Sequence, residues 1–195
     1  MSPIAFIVNP CMWLVLCSKY KATHIQGPNF AYALVLRRFS SFKVSPSFNL
    51  SSLQHIFNAA EPISVEVAKQ FIKTFSAYGL SREAMTGGYG LAESCVYVSD
   101  DGHGVLTIDR DAFEKDNHVI PLSYYNCITD SIVFFFFLYI ATEEYQKEAK
   151  NTISLFSCGN TVKNENTTIK IVKEGKDLGV FHSISFLYSI GKSSW

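Results

Sequence analysis

Between Ser64 and Gly79 the apolar residues Val65, Ala68, Ile72 and Phe75 recur three or four positions apart, the spacing that gathers them on one face of an α-helix. Ser64 stands where an N-cap hydroxyl receives a backbone N–H, and Gly79 where a left-handed residue closes the element. Just before it, Gln54-His-Ile-Phe-Asn-Ala-Ala60 predicts a buried strand that stops at Glu61-Pro62. Thr167 to Val172 alternates apolar and polar, as a half-buried strand does. Val96-Tyr-Val and Val105-Leu-Thr-Ile predict two further strands, and Asp111 to Lys115 a short helix. Near the start, Asn9-Pro10 predicts an N-cap with proline at the first helical position, opening a helix to about Tyr20. His24 to Gln26 is short and extended. Gly27-Pro28 opens a second helix, Asn29 to Arg38, whose final turn carries Arg37 and Arg38, where the helix dipole favours cations. Ser40 to Ser52, rich in Ser, Phe and Pro, reads as a loop. Helix and strand alternate, so the predicted class is α/β.

Residues 126–157 fit this pattern less well. Four consecutive Phe adjoin a charged stretch from Glu143 to Lys150, which reads either as a buried strand followed by a solvated helix or as two unrelated pieces of sequence joined by an error in the gene model. The apolar run Ile132 to Ala141 has roughly half the length needed to span a bilayer. Met1 to Cys17 is apolar but lacks a basic start and is interrupted by Pro3 and Pro10, unlike a secretory leader. No membrane span is expected, and the expected location is cytoplasmic. Cys11, Cys17, Cys95, Cys127 and Cys158 form no CxxC pair; an odd count without metal spacing fits reduced, buried thiols.

Charge narrows the partners. The 195 residues carry 17 Lys+Arg against 17 Asp+Glu, a balance that argues against nucleic-acid binding, which needs clustered cations. With 48% hydrophobic residues and 16 Phe, 10 Tyr and 2 Trp, the chain is too apolar for a disordered protein. The charges are unevenly placed: the first carboxylate is Glu61. A long acid-free stretch rich in Phe, Leu and Val is expected to be buried, as in an internal slice of a larger domain.

Several familiar sites are absent. Gly191-Lys-Ser193 ends like a phosphate loop, but the required upstream glycine is Phe186. No GxSxG, HExxH or strand-linked GxGxxG occurs, and Asp109-Arg-Asp111 reads as an exposed turn sooner than a metal site. The informative string is Gly87-Gly-Tyr-Gly-Leu-Ala-Glu-Ser94. Its glycines permit close backbone approach to a ligand, Tyr89 offers a flat face to a planar base, and Glu93 a hard oxygen for a phosphate-bound Mg²⁺.

Tyr89-Gly-Leu-Ala-Glu93 resembles the Tyr-Gly-x-Thr/Ala-Glu signature of adenylate-forming enzymes, and Phe57-Asn-Ala-Ala-Glu-Pro62 resembles their Gly-Ala-Glu-Pro segment. Tyr20-Lys-Ala-Thr-His-Ile-Gln-Gly-Pro-Asn-Phe-Ala-Tyr32 is similar to a run of the fatty acyl-AMP ligase branch. So are Val105 to Glu114, within that branch's insertion, and Ser157-Cys-Gly-Asn160, at the return to the common fold. The resemblance implies a partial N-terminal domain of an adenylate-forming enzyme, with mixed sheets flanked by helices. Residues 1–100 would be the acyl and adenine core, 101–156 the insertion region, and 157–195 the return.

By the same resemblance, the activity would be ATP-dependent conversion of a fatty acid to acyl-AMP, with pyrophosphate leaving. The acyl group would pass to an acyl carrier protein or polyketide synthase partner; a coenzyme A ligase or a non-catalytic acyl-adenylate-binding remnant is the alternative. Asn58, Ala59, Ala60 and Glu61 would line the adenine pocket, largely through backbone. Tyr89 would stack on the base, and Gly90, Leu91 and Ala92 would wrap the phosphate and acyl carbonyl. Glu93 would bind Mg²⁺, and Gly27, Pro28, Asn29 and Phe30 would form part of the acyl tunnel wall. Ala59, where the family usually has Gly, adds a methyl near the base. The family's pyrophosphate loop is expected before Met1, and its ribose-binding aspartate and catalytic lysine after Trp195. Without them, the 195 residues alone are not expected to turn over.

Overall fold

The computed structural model describes residues 1–92, 95–111, 115, 121–126, 151–158, 160–161, 169–173 and 176–181. The chain forms two compact units, Met1–Thr86 and Gly87–Trp195.

In the first unit, helices α1 (Pro3–Val8), α2 (Cys11–Tyr20), α3 (Asn29–Phe39) and α4 (Val65–Ser76) accompany strands β1 (His24–Gly27) and β2 (His55–Asn58). The apolar start is two helices and not one: the Ser2 hydroxyl accepts from Ala5 N–H, Pro3 opens α1, and Pro10 falls between the elements. Helix α2 therefore begins at Cys11, with Pro10 in the cap position predicted for Asn9. It ends at Lys21, whose φ of 55° turns the chain towards β1.

Strands β1 and β2 run parallel, His24 opposite His55 and Gly27 opposite Asn58, with α3 as the crossover between them. Helix α4 starts at the expected cap, where Ser64 Oγ accepts from Val67 N–H at 3.3 Å. Its buried face is Ala68, Phe71 and Phe75. Phe71 thus takes the place predicted for Ile72, which is only half-buried. The larger ring goes inward because it meets Tyr32 edge-on at 5.2 Å and Phe75 at 4.6 Å. Phe39, Phe48 and Tyr78 extend this aromatic cluster, and Leu14, Val35, Leu50, Leu53 and Ile56 complete the core. The 40–52 loop is tied down by Ser18 Oγ, which accepts from Asn49 N–H at 2.9 Å, and by Leu50 N–H donating to Tyr78 C=O at 2.8 Å.

Strand β3 (Met85–Leu91) begins in the first unit, where Thr86 Oγ1 hydrogen-bonds His55 Nε2 at 3.1 Å. In the second unit it pairs antiparallel with β4 (Val96–Gly102). A three-stranded antiparallel sheet has β5 (Gly104–Asp109) between β6 (Pro121–Asn126) and β7 (Thr152–Phe156). Val105, Ile108 and Phe156 are its buried apolar residues among those described. The short β8 (Asn160–Thr161) pairs with β4, and β9 (Ile169–Lys173) with β10 (Lys176–Phe181). The strand expected at 167–172 is thereby present from Ile169. Asp111 and Lys115 are each helical and joined by a 3.0 Å ion pair, while residues 112–114 of the expected short helix lie outside the described residues. The strand–helix expectation for 127–150 lies outside the described residues.

Candidate functional site

Parallel pairing brings the ends of β1 and β2 side by side, and with them two of the predicted segments. Ala59 N–H donates to Gly27 C=O at 3.4 Å across the junction. The Glu61 carboxylate accepts from Phe30 N–H at 2.5 Å, at the opening turn of α3, where exposed helix N–H groups attract an anion. One step further, Asn29 Oδ1 accepts from Ser64 N–H at 3.0 Å, joining the start of α3 to the cap of α4. Two of these hydrogen bonds, one through the Glu61 side chain, hold Gly27–Phe30 against Asn58–Glu61, and the third ties Asn29 to Ser64. That Glu61 and Asn29 act as clasps was not foreseen; only the backbone roles were.

Asn58 is the chemically unusual member. It is 0% exposed, on the inward face of β2 with Ile56, and neither its side-chain oxygen nor its nitrogen has a hydrogen-bond partner among the described residues. Burying an amide without partners costs about 1–3 kcal/mol. A donor and an acceptor kept apolar-side at a strand's carboxyl end suit a ligand edge carrying the complementary pair. Beyond it, Ala60 has a φ of 72°, and the chain turns through this exposed residue before α4.

The other side of Gly27–Phe30 faces a pocket of about 300 Å³, walled also by Phe6, Trp13 and Ala31. Trp13 lies between Phe6, edge-on at 5.8 Å, and Tyr32, tilted at 5.5 Å. Tyr32 is completely buried and donates its hydroxyl to Phe57 C=O at 2.9 Å. Burial, with the nearby Cys17 thiol, pushes its pKa well up, so the hydroxyl stays a donor. Sequence reasoning missed Trp13; the uniformly apolar segment 11–17 has no period that separates a core residue from a pocket wall.

In the second unit the Tyr89–Ala92 stretch ends β3. Tyr89 is half-buried and opposite Ser99, Gly90 is exposed and opposite Tyr97, and the register slips on either side of Tyr89. A Cβ built on Gly90 collides with the Val96 carbonyl oxygen, so no other residue fits this close strand approach. Cys95 and Val96 follow with φ of 52° and 79°, values rare for a β-branched residue. Glu93 lies outside the described residues. Among those described, no three His, Cys, Asp or Glu converge as a metal centre. Asp109 is buried rather than in an exposed turn, while Lys115 beside Asp111 lowers that carboxyl's pKa. No described helix is long and apolar enough to cross a membrane. Burial pushes the thiols of Cys17 and Cys158 up to about 11, and Cys11 upward; Cys11 and Cys17 are the buried, free thiols expected, while Cys158 is half-buried. Cys95 is exposed, against that expectation.

Together these features define an α/β protein with an apolar pocket beside the carboxyl end of β1. The chain belongs to the AMP-binding enzyme family, whose sequence model matches residues 2–118. It is 44% identical over 124 residues to the medium-chain-fatty-acid–[acyl-carrier-protein] ligase JamA of Moorena producens, covering 62% of this chain and 21% of that protein. It is 32% identical over 127 residues to the long-chain-fatty-acid–AMP ligase FadD32 of Mycobacterium marinum, covering 61% and 20%. The solved fatty acid AMP ligase of Legionella pneumophila aligns over 89% of this chain and 26% of its own, with a TM-score of 0.65 at 28% identity. The chain thus spans about a fifth of the curated relatives it matches.

Proposed function

We propose that this chain forms the acyl- and adenine-facing part of an enzyme that activates a fatty acid with ATP. The carboxylate oxygen would attack the α-phosphorus, the bond to the β-phosphate would break, and acyl-AMP and pyrophosphate would form. A carrier protein would then take the acyl group, as the name of JamA suggests, with a synthase the other acceptor that the sequence resemblance implies. The observation that carries this proposal is the junction of Gly27–Phe30 with Asn58–Glu61, where Asn58, buried and without a side-chain partner among the described residues, pairs across from Gly27, a wall of the apolar pocket. The amide of Asn58 suits the donor–acceptor edge of adenine, and the pocket suits an alkyl chain. Tyr89 would contribute its ring to the base, and Gly90, Leu91 and Ala92 their backbone to the phosphate and acyl carbonyl. Mg²⁺, assigned by resemblance to Glu93, would offset phosphate charge.

The test is binding of a non-hydrolysable acyl-adenylate, read as a thermal shift. Asn58→Leu removes the orphaned polar atoms while keeping the volume, so the free chain should melt higher, by the equivalent of about 1–3 kcal/mol, yet lose most of the ligand-induced shift. A ligand shift that survives in Asn58→Leu would remove Asn58 from the base site, and no shift in the unsubstituted chain would overturn the proposal. ATP–pyrophosphate exchange by the full-length protein then tests the chemistry.

A further inference from the structure

Helix α3 begins without a cap of its own. Pro28, in the cap position, makes no side-chain cap bond, so the first N–H groups of the helix need partners from elsewhere. Ala31 N–H finds Pro28 C=O at 2.9 Å. Phe30 N–H finds the Glu61 carboxylate, 31 positions further along the chain. We infer that this borrowed cap couples the two halves of the site. A nucleotide held at Asn58–Glu61 fixes the Glu61 carboxylate, the carboxylate fixes the opening turn of α3, and the fatty acid is bound more tightly as a result. The inference rests on reading Asn58–Glu61 as the adenine side and Gly27–Phe30 as the acyl side.

Three observations support it. First, the tie is reciprocal. Asn29, the first residue of α3, accepts through Oδ1 from the N–H of Ser64, which caps α4. The start of α3 thus depends on the segment leading into α4, and the cap of α4 on α3. Second, the carboxylate sits on a short exposed turn beyond a fixed strand. Strand β2 is anchored by Tyr32 Oη–H donating to Phe57 C=O at 2.9 Å, and Ala59 N–H donates to Gly27 C=O. Ala60, Glu61 and Pro62 are exposed. A segment with few buried contacts lies at the low end of local stability, where ligand contact can order it. Third, Phe30 belongs to both sides: its N–H is held by Glu61, while its side chain lines the pocket and is 54% exposed. The bond is charge-assisted and meets the positive end of the α3 dipole. Glu61 is therefore a positioning residue, acting on the acyl side through Phe30.

The coupling is read as a ratio. Decanoate affinity is measured by calorimetry with and without α,β-methylene-ATP, and exchange of the Phe30 amide by NMR under the same conditions. The analogue should slow exchange at Phe30 and tighten decanoate binding about fivefold, a modest factor because the Glu61–Phe30 bond is exposed to solvent. Glu61→Ala should bring the ratio close to one and remove the added protection. Glu61→Gln, which keeps an acceptor without the charge, should retain part of both. A role confined to stability would lower the melting temperature of these variants and leave the ratio untouched. An unchanged ratio in Glu61→Ala, or a ratio of one in the unsubstituted protein, overturns the inference while the proposed function stands. If decanoate does not bind, the acyl reading falls and the inference with it. If the analogue and the acyl-adenylate both fail to bind, the nucleotide reading falls, and again the inference with it.

Discussion

Ala60 occupies left-handed backbone at φ 72°, a region that costs a residue with a Cβ about 1–2 kcal/mol. The resemblance directs attention to its neighbour Ala59 as the departure from glycine, but the torsion that wants glycine belongs to Ala60. Ala60→Gly should therefore stabilise the first unit by about 1 kcal/mol in urea denaturation, while Ala59→Gly should give no comparable gain. Asn58 and Glu61 show what residue types can reveal before folding. The resemblance assigns both to the adenine site, yet the carboxylate's bond to Phe30 N–H and the isolation of the Asn58 amide among the described residues depend on which strand lies alongside. No local spacing encodes that neighbour.

Helix α4 measures the reach of periodicity at the level of elements. Its cap, its start and its inward Ala68 and Phe75 follow from spacing alone. Phe71 and Ile72 are adjacent, and both fall within the range of an apolar stripe; the aromatic partners supplied by α3 decide which of them turns in. Phe71→Ala should cost about 3–5 kcal/mol, and Ile72→Ala distinctly less, when the two are compared by equilibrium unfolding. The apolar start shows the opposite outcome. Two prolines read as interruptions of a hydrophobic run instead open one helix and separate it from the next, because proline fits a first helical turn whose N–H has no partner in any case. Strands β1, β2 and β5 were legible to within a residue or two and β4 only at its start, whereas β3 was not expected as a strand at all. The slipped register around Tyr89 was not legible either, since a bulge depends on pairing rather than composition.

For the molecule as a whole, buried acids without charge partners set the response to alkali. Burial raises Cys17 from its ordinary 9.0 to about 11 and raises Tyr32 further. The folded chain keeps these protons after the unfolded chain has released them, so their contribution is complete below pH 9 and is lost as pH rises through about 11. Melting temperature should hold level up to pH 9 and then fall, and Cys17→Ala should flatten part of that decline. The α/β class and the family were both legible from ordered sequence blocks. The division at Thr86–Gly87 was not, because it falls inside a strand and no change of composition marks it.

The parallel alignment of β1 with β2 also governs how quickly the first unit can be made. His24 must find His55 across the whole of α3 and the following loop, and the entropy of closing that span is lost before any strand contact forms. The strand pair should therefore belong to the folding nucleus, and the cap of α4 should form late. In stopped-flow experiments Ile56→Val should chiefly slow refolding, whereas Ser64→Ala should chiefly hasten unfolding. The same crossover that brings Asn58 beside Gly27 would then be the slow step in the birth of the site.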